Sequence, residues 1–254
     1  MLPFFTKILF KLGIKEYRFY CEKLTSCEEN KKLIMDFYIE REKGIYDCPN
    51  TIVGLQQYLR KKAWDDDIEN INTIYLIKDR KTKMIAAYFG LKAGMVSLKD
   101  TINISNEEKN RIEQIRIDTL SEGYKPINQS IPGIELSHFA INDSFRQALV
   151  KGTNRNISGL GYYFFPKFIY PIIIDVHNKI GVKFFYLYAA DSSGENKLVN
   201  YYRNVMGLDT LNDSSIKVDS SVLKVKPIRA DYDNKCIFMY RAINDKEKTS
   251  ICNS

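Results

Sequence analysis

The stretch Ile134-Glu-Leu-Ser-His-Phe-Ala-Ile141 alternates in strand fashion, and a short way on Arg155-Asn-Ile-Ser-Gly-Leu-Gly161 opens a strongly apolar helix. A strand that feeds a glycine-containing turn at a helix start aims free backbone N–H groups at one point. Those donors, with the helix dipole behind them, suit a diphosphate. Gly159 and Gly161 let the main chain approach the phosphates, and Arg155 or Lys151 adds positive charge. A Gly-x-Gly pair alone fits an ordinary loop entering a helix equally well. It is not the dinucleotide fingerprint, which has a third glycine and sits on the first strand, and no Gly-Lys-Ser/Thr follows to make a P-loop. Dehydrogenase and kinase chemistry fall away here. His138 has the intrinsic pKa for proton transfer. By alternation it points away from Glu135, with Leu136 and Ala140, which favours a buried, hydrogen-bonded structural role.

Metal chemistry finds little support. The five cysteines, Cys21, Cys27, Cys48, Cys236 and Cys252, include no CxxC spacing, and the two histidines, His138 and His177, lie in distant segments. The acidic trio Asp65-Asp66-Asp67 cannot converge on one ion from one loop and reads as a solvated helix exit. No metal is expected. Scattered thiols in odd number suit a reducing cytoplasm better than a disulfide frame.

The elements that must position these residues follow from periodicity. Glu16 to Lys23 fits a first strand. Ser26 and Glu29 have capping-box spacing ahead of Leu33, Ile34, Phe37 and Tyr38, with Gly44 closing that helix. A second helix runs from Asn50 to about Trp64. Thr73 to Lys78 and Met84 to Leu91 form a hairpin around Asp79 to Lys83. Thr101 to Lys125 contains a helix with a Ser105/Glu108 capping box. Then come the strand Ile131 to Ile141, a helix over Gly159 to Lys179, a strand over Val182 to Ala190, and a helix over Asn196 to Met206 ended by Gly207. Strands near Ser221 to Val225 and Cys236 to Ile243 close the chain. Mixed strands with interleaved helices give an α/β or α+β single domain. Strand, helix and strand from Ile134 to Ala189 make a parallel βαβ unit.

The 254 residues allow one enlarged domain or two small ones, and no linker divides them. A hydrophobic share of 44% with 13% aromatics excludes a disordered chain. The net charge of +7 admits an anionic partner, but acids and bases are interspersed without a basic run, so nucleic acid is disfavoured. Leu2 to Leu12 is apolar but broken by Lys7 and Lys11, too short to span a membrane and better read as a lead-in packed on the domain.

This order, together with the residues quoted, resembles the GNAT acetyltransferase superfamily. In that family the fourth strand leads into a Gln/Arg-x-x-Gly-x-Gly/Ala turn holding the pyrophosphate of acetyl-CoA. Here the turn is Asn156-Ile157-Ser158-Gly159-Leu160-Gly161, with Arg155 just before it. Asn196, followed by Leu198-Val-Asn-Tyr-Tyr-Arg-Asn-Val-Met-Gly-Leu208, resembles the family's Asn, Tyr and Gly-Phe ending. Leu208 stands for the Phe, and one extra residue separates Tyr202 from Gly207. The resemblance covers Ile134 to Leu208 by motif and the earlier elements by order.

It implies a mixed, mostly antiparallel sheet with helices on both faces, splayed between the fourth and fifth strands to admit the pantetheine arm along Phe139, Ala140, Ile141 and Asn142. It implies acetyl-CoA as co-substrate and a primary amine, of a small molecule or protein, as acceptor. Glu135 would be the base, with His138 or a water as alternatives. Tyr202 would be the acid and also touch the cofactor, with Tyr201 as alternative, and Asn196 would contact the pantetheine. One GNAT-like domain fills 1–254: a lead-in at 1–15, a helical insertion at 92–132 and an acetyl-CoA-binding core at 134–208. The insertion forms a lid over the acceptor or an oligomer contact such as a homodimer interface. A non-catalytic acyl-CoA-binding module on the same fold is the alternative.

Overall fold

The computed structural model describes residues 18–40, 52–100, 130–146, 159–191, 194–210, 216–218, 221–227 and 236–243. Strands β1 (Phe19–Lys23), β2 (Thr73–Asp79), β3 (Ile85–Asp100) and β4 (Ser130–Ile141) pair antiparallel in chain order. β4 then pairs parallel with β5 (Phe184–Ala189), and β5 continues antiparallel to β9 (Ile237–Ala242), which also carries β6 (Asp209–Thr210). β8 (Ser221–Pro227), paired with β7 (Ile216–Val218), lies along the far half of β3. The sheet is mixed and mostly antiparallel with one parallel pair, as expected from the sequence.

The alternating β-rich sequences place apolar residues on both faces of the sheet, because helices cover both. One face carries α4 (Leu160–Phe164), a π-helical turn (Phe165–Ile169), α5 (Tyr170–Ile180) and α6 (Lys197–Met206). Phe164, Ile169, Ile173 and Met206 meet Phe89, Leu136, Phe185 and Met239 there. The π turn falls where Pro166 and Pro171 remove two N–H donors, and the Tyr170 N–H reaches back five residues to the Phe165 carbonyl. The other face carries α1 (Glu29–Leu33), α2 (Ile52–Lys61) and α3 (Ala63–Ile68), with Leu24, Phe37, Leu59 and Trp64 packed on Ile74, Leu76 and Tyr88. Further along that face Val96, Phe184, Tyr186, Phe238 and Tyr240 form an aromatic layer.

Several local expectations are corrected. The helix expected through Tyr38 stops early: α1 is followed by a 3-10 turn, Ile34–Asp36, and the chain is extended from Phe37. Tertiary partners outcompete the helix there. Tyr38 N–H donates to Asn142 Oδ1 (3.2 Å), Ile39 N–H to Gln56 Oε1 (2.9 Å) and Glu40 N–H to Asp143 Oδ2 (2.8 Å). The Ser26 hydroxyl donates to the Lys23 carbonyl (2.6 Å) rather than capping, and Glu28 is the N-cap. The second helix breaks at Lys62, so the acidic trio lies inside α3 and is no solvated exit. The insertion is not helical at its ends: β3 runs on through Lys92 to Asp100 opposite a β4 that begins at Ser130, with Lys92 facing Glu135 and Ser97 facing Ser130. Gly44, Asn50, the 1–15 lead-in and the helix expected within Thr101 to Lys125 lie outside the described residues.

Asp67 shows why the trio folds inward. Its carboxylate is fully buried and accepts the backbone N–H of Thr25 (3.1 Å) and of Ile74 (3.0 Å), with Lys23 Nζ at 3.5 Å. One side chain thereby joins α3, β2 and the segment after β1. Asp67→Ala leaves one buried and one part-buried donor unpaired and is expected to lower stability by roughly 2–3 kcal/mol, read as a shifted urea midpoint at unchanged slope.

Candidate active site

The bulge in β4 determines the site. Leu91 lies opposite Leu136 but Gly90 lies opposite His138, so Ser137 is an extra residue in β4. A bulge shifts the side-chain alternation by one. Ile134 and Leu136 face α4 and α5, while Ala140 packs under α2 with Tyr88. His138 therefore shares the face of Glu135, contrary to the alternation expected from sequence. Leu136 points the other way.

Past the bulge, β4 and β5 part. Their pairing covers only Gly133–Phe184, Ile134–Phe185 and Glu135–Tyr186, although β4 continues to Ile141 and β5 to Ala189. Asn142 N–H donates to Ala86 O (2.9 Å), so the ladder's alternation turns the backbone groups of Phe139 and Ile141 away from β3, toward the opened side. Of the four residues expected along the pantetheine, Asn142 is already committed. Its carbonyl accepts Arg146 N–H (3.1 Å), and its side chain donates to Ile85 O (2.7 Å) and accepts from Tyr38.

The turn expected to hold a diphosphate is described from Gly159 on; Lys151, Arg155, Asn156, Ile157 and Ser158 lie outside the described residues. Gly159 has φ +102°, which favours glycine, and stands at the N-cap of α4. Leu160 is buried in the core. Gly161 lies under the Tyr201 hydroxyl, which a Cβ there would overlap. The Tyr201 hydroxyl is buried and has no hydrogen-bond partner, and its ring packs edge-on against Tyr162 at 5.0 Å. Tyr202, one residue on, is buried on the core face of α6 with Val199 and Met206. Burial comes first in pushing both phenols above their ordinary value, so both keep their protons. Asn196 is the N-cap of α6 in a left-handed conformation, φ +54°, with an exposed side chain. The free N–H groups of that helix are met instead by Asp191, whose Oδ2 accepts from Leu198 (2.8 Å) and Val199 (3.0 Å).

Glu135 is 5% exposed. Lys92 Nζ lies 3.2 Å from its Oε1, and Tyr186 hydrogen bonds to it from β5. Beside them His138 stacks face to face on Tyr58, 3.8 Å between ring centres. Its Nδ1 is 3.0 Å from Ser137 Oγ and 3.3 Å from Asn72 Nδ2; Asn72 also donates to Tyr58 (3.0 Å), which donates to Asp66 Oδ2 (2.8 Å). Burial, and then the Lys92 ammonium, lower the His138 pKa to about 4. A neutral ring that accepts at Nδ1 carries its proton on Nε2 and serves as a donor.

Lys92, Tyr186, Tyr58, Asn72 and Asp191 were not singled out from the sequence. Gly90-Leu-Lys-Ala-Gly94 held the available signal, since glycines within a strand mark close approach of other groups. Among the described residues no group of His, Cys, Asp or Glu is placed to hold a metal ion, and no helix is long and apolar enough to cross a membrane.

No protein-family model matches the chain, and no curated protein matches it in sequence. Among solved structures it is similar to a tyrosine-to-phenylalanine mutant of KacT, at 10% identity over 93% of this chain and 98% of that one, TM-score 0.45. It is similar to AtaT complexed with acetyl-methionyl-tRNAfMet, at 12% identity over 82% and 94%, TM-score 0.42. It is also similar to AtaTR bound with AcCoA, at 13% identity over 83% and 94%, TM-score 0.42. Likeness at these values says nothing of activity.

The His138 environment has a consequence for stability. The unfolded histidine titrates near 6.5 and the folded one near 4, so on acidification the unfolded state binds a proton first. Its contribution is complete above pH 6.5 and is lost as pH falls toward 4, by at most about 3 kcal/mol. Urea unfolding at pH 7, 5.5 and 4 should show this slope, and His138→Gln should flatten it.

Proposed function

We propose that this protein is an N-acetyltransferase that moves an acetyl group from acetyl-CoA to a primary amine by direct attack. The observation that carries the reading is the parting of β4 from β5 at a bulge that also sets Glu135 beside the opening. The residues present fit the co-substrate. Phe139 and Ile141 offer edge donors and acceptors for the pantetheine amides. Gly159, where a Cβ would meet nothing nearer than the Tyr162 ring at 3.8 Å, leaves the start of α4 open to a diphosphate, while Gly161 beside it seats the Tyr201 hydroxyl. The residues from Arg155 to Ser158, with Ala140, Leu160 and Asn196, complete the binding segment expected from the motifs. Acetyl-CoA supplies the acyl group as a thioester.

The chain's own groups handle protons. Glu135 accepts the proton the amine loses, through a water, since its carboxylate is closed in by Lys92 and Tyr186. A backbone N–H on the open edge of β4 faces the developing negative charge. The acid for the departing sulfur comes from α6, where Tyr202 matches the motif position and Tyr201 has the unpartnered hydroxyl. The neutral His138 donates rather than abstracts. One domain, with its acetyl-CoA-binding core in 134–208, contains all of these groups. The free thiols of Cys21 and Cys27 support a reducing compartment, the cytoplasm. The burial of Glu135 favours one competing reading, a passive acyl-CoA-binding module.

Calorimetry with CoA and acetyl-CoA, followed by thioester turnover against an amine panel, separates the two. Saturable binding is expected, with turnover falling roughly 100-fold or more in Glu135→Gln. Loss in Tyr201→Phe or in Tyr202→Phe names the acid. Absence of binding at high micromolar protein would sink both readings; binding without turnover leaves only the passive module.

A further inference from the structure

Tyr186 occupies a notch cut across three strands. It is the β5 partner of Glu135 in the last residue pair before β4 and β5 separate. Its ring crosses Gly133 of β4, where a Cβ would come within 3.2 Å of it, and reaches Gly94 of β3, where a Cβ would overlap the hydroxyl and come within 2.8 Å of Cζ. Glycine thus stands at both positions that a side chain would close. The ring is held from the far side by Phe238, 5.6 Å away and tilted, and by Tyr188, edge-on at 6.3 Å.

At the second glycine the hydroxyl makes the tightest approach and the ring edge follows it. It donates to the Glu135 carboxylate and accepts the backbone N–H of Met95. Met95 faces Pro132, whose nitrogen donates nothing and whose carbonyl already takes Lys183 N–H (2.9 Å). The tyrosine oxygen therefore satisfies a β3 donor while directing its own proton at Glu135. Burial, and then the Glu135 charge, hold the phenol protonated, as a donor must be. Lys92 reaches the same carboxylate from β3 and is partly exposed, whereas Tyr186 is 4% exposed and fixed on all sides.

We propose that Tyr186 is a positioning residue for Glu135: its buried hydroxyl, seated over Gly94 and Gly133, fixes the carboxylate in the orientation that accepts the amine proton. This rests on Glu135 as the base. Packing alone would be served by phenylalanine, which fills the same notch but has no hydroxyl to give Glu135.

The test uses the full chain, acetyl-CoA and the fastest amine of the panel. Tyr186→Phe keeps the ring and is expected to lower kcat between about 10- and 100-fold. KM for acetyl-CoA and its calorimetric affinity should stay within about twofold of wild type. In a Glu135→Gln background, Tyr186→Phe should add less than about twofold, because two residues acting through one carboxylate are non-additive. Gly94→Ala, which displaces the hydroxyl and leaves the tyrosine in the chain, should reproduce the kcat loss if Tyr186→Phe fails to fold. Wild-type kcat in Tyr186→Phe alongside an inactive Glu135→Gln overturns the positioning role alone. An active Glu135→Gln, or binding without turnover of any amine, overturns it together with the assignment of the base.

Discussion

The site depends on one extra residue. Ser137 has no partner of its own on β3, and that single mismatch brings about two things that a regular strand would keep apart. It restarts the alternation of β4, so that Glu135 and His138, three residues apart, share a face. It also bends the strand away from β5 just past Glu135, where parallel pairing ends. A bulge increases local twist and frees an edge. Here the freed edge carries the backbone groups of Phe139 and Ile141, and the re-aimed face carries the ionisable groups. The unpaired edge and the re-aimed polar face are two consequences of one insertion.

An opened sheet must be held open, because unpaired backbone in a core is costly. The ties lie at the margins of the gap. Asn142 closes the end of β4 onto the start of β3 and onto Tyr38, so the strand cannot drift back toward β5. Across the gap, Arg241 donates to the last carbonyls of α6 at Met206 O (2.8 Å) and lies over the Tyr170 ring at 4.9 Å, fixing α6 to α5 and β9. Asp191 fixes the other end of α6. The helix that carries Tyr201 and Tyr202 is thereby clamped at both termini, and the tyrosines are placed by hydrogen bonds at residues that are themselves no part of the chemistry.

The fold was largely legible because its strongest signals are long-range periodic ones. The apolar run over Leu160 to Ile180 and the β-rich stretch over Ile134 to Ile141 mark a helix and a strand whatever their local irregularities. What failed was of a single kind. Counting by twos through β4 assigns His138 to the wrong face, since nothing about Ser137 marks it as unpaired; a bulge is a property of two strands, and the sequence shows only one at a time. The helix expected through Phe37 failed for a related reason. Side chains from Gln56, Asn142 and Asp143, remote in sequence, take the N–H groups that a helix would use. The sequence reading places Lys92 in an insertion, yet the glycines on either side of it are the marks of what lies over them: Ser137 and Asn72 at Gly90, Tyr186 at Gly94.

That spacing gives the last step. β3 presents Tyr88, Gly90, Lys92, Gly94 and Val96 in turn to the face that carries Glu135 and His138, large and small alternating. The two glycines admit polar groups from β4 and β5 on either side of Lys92, whose ammonium then stands beside Glu135 with a buried amide cluster to one side and a tyrosine to the other. A buried carboxylate persists only when paired and hydrogen bonded. Here the lysine supplies the charge and the tyrosine the directed bond, from different strands. The neutral His138 fits the same logic: burial first, and then the Lys92 ammonium, disfavour a charged ring, so the imidazole stays neutral beside the Glu135–Lys92 pair.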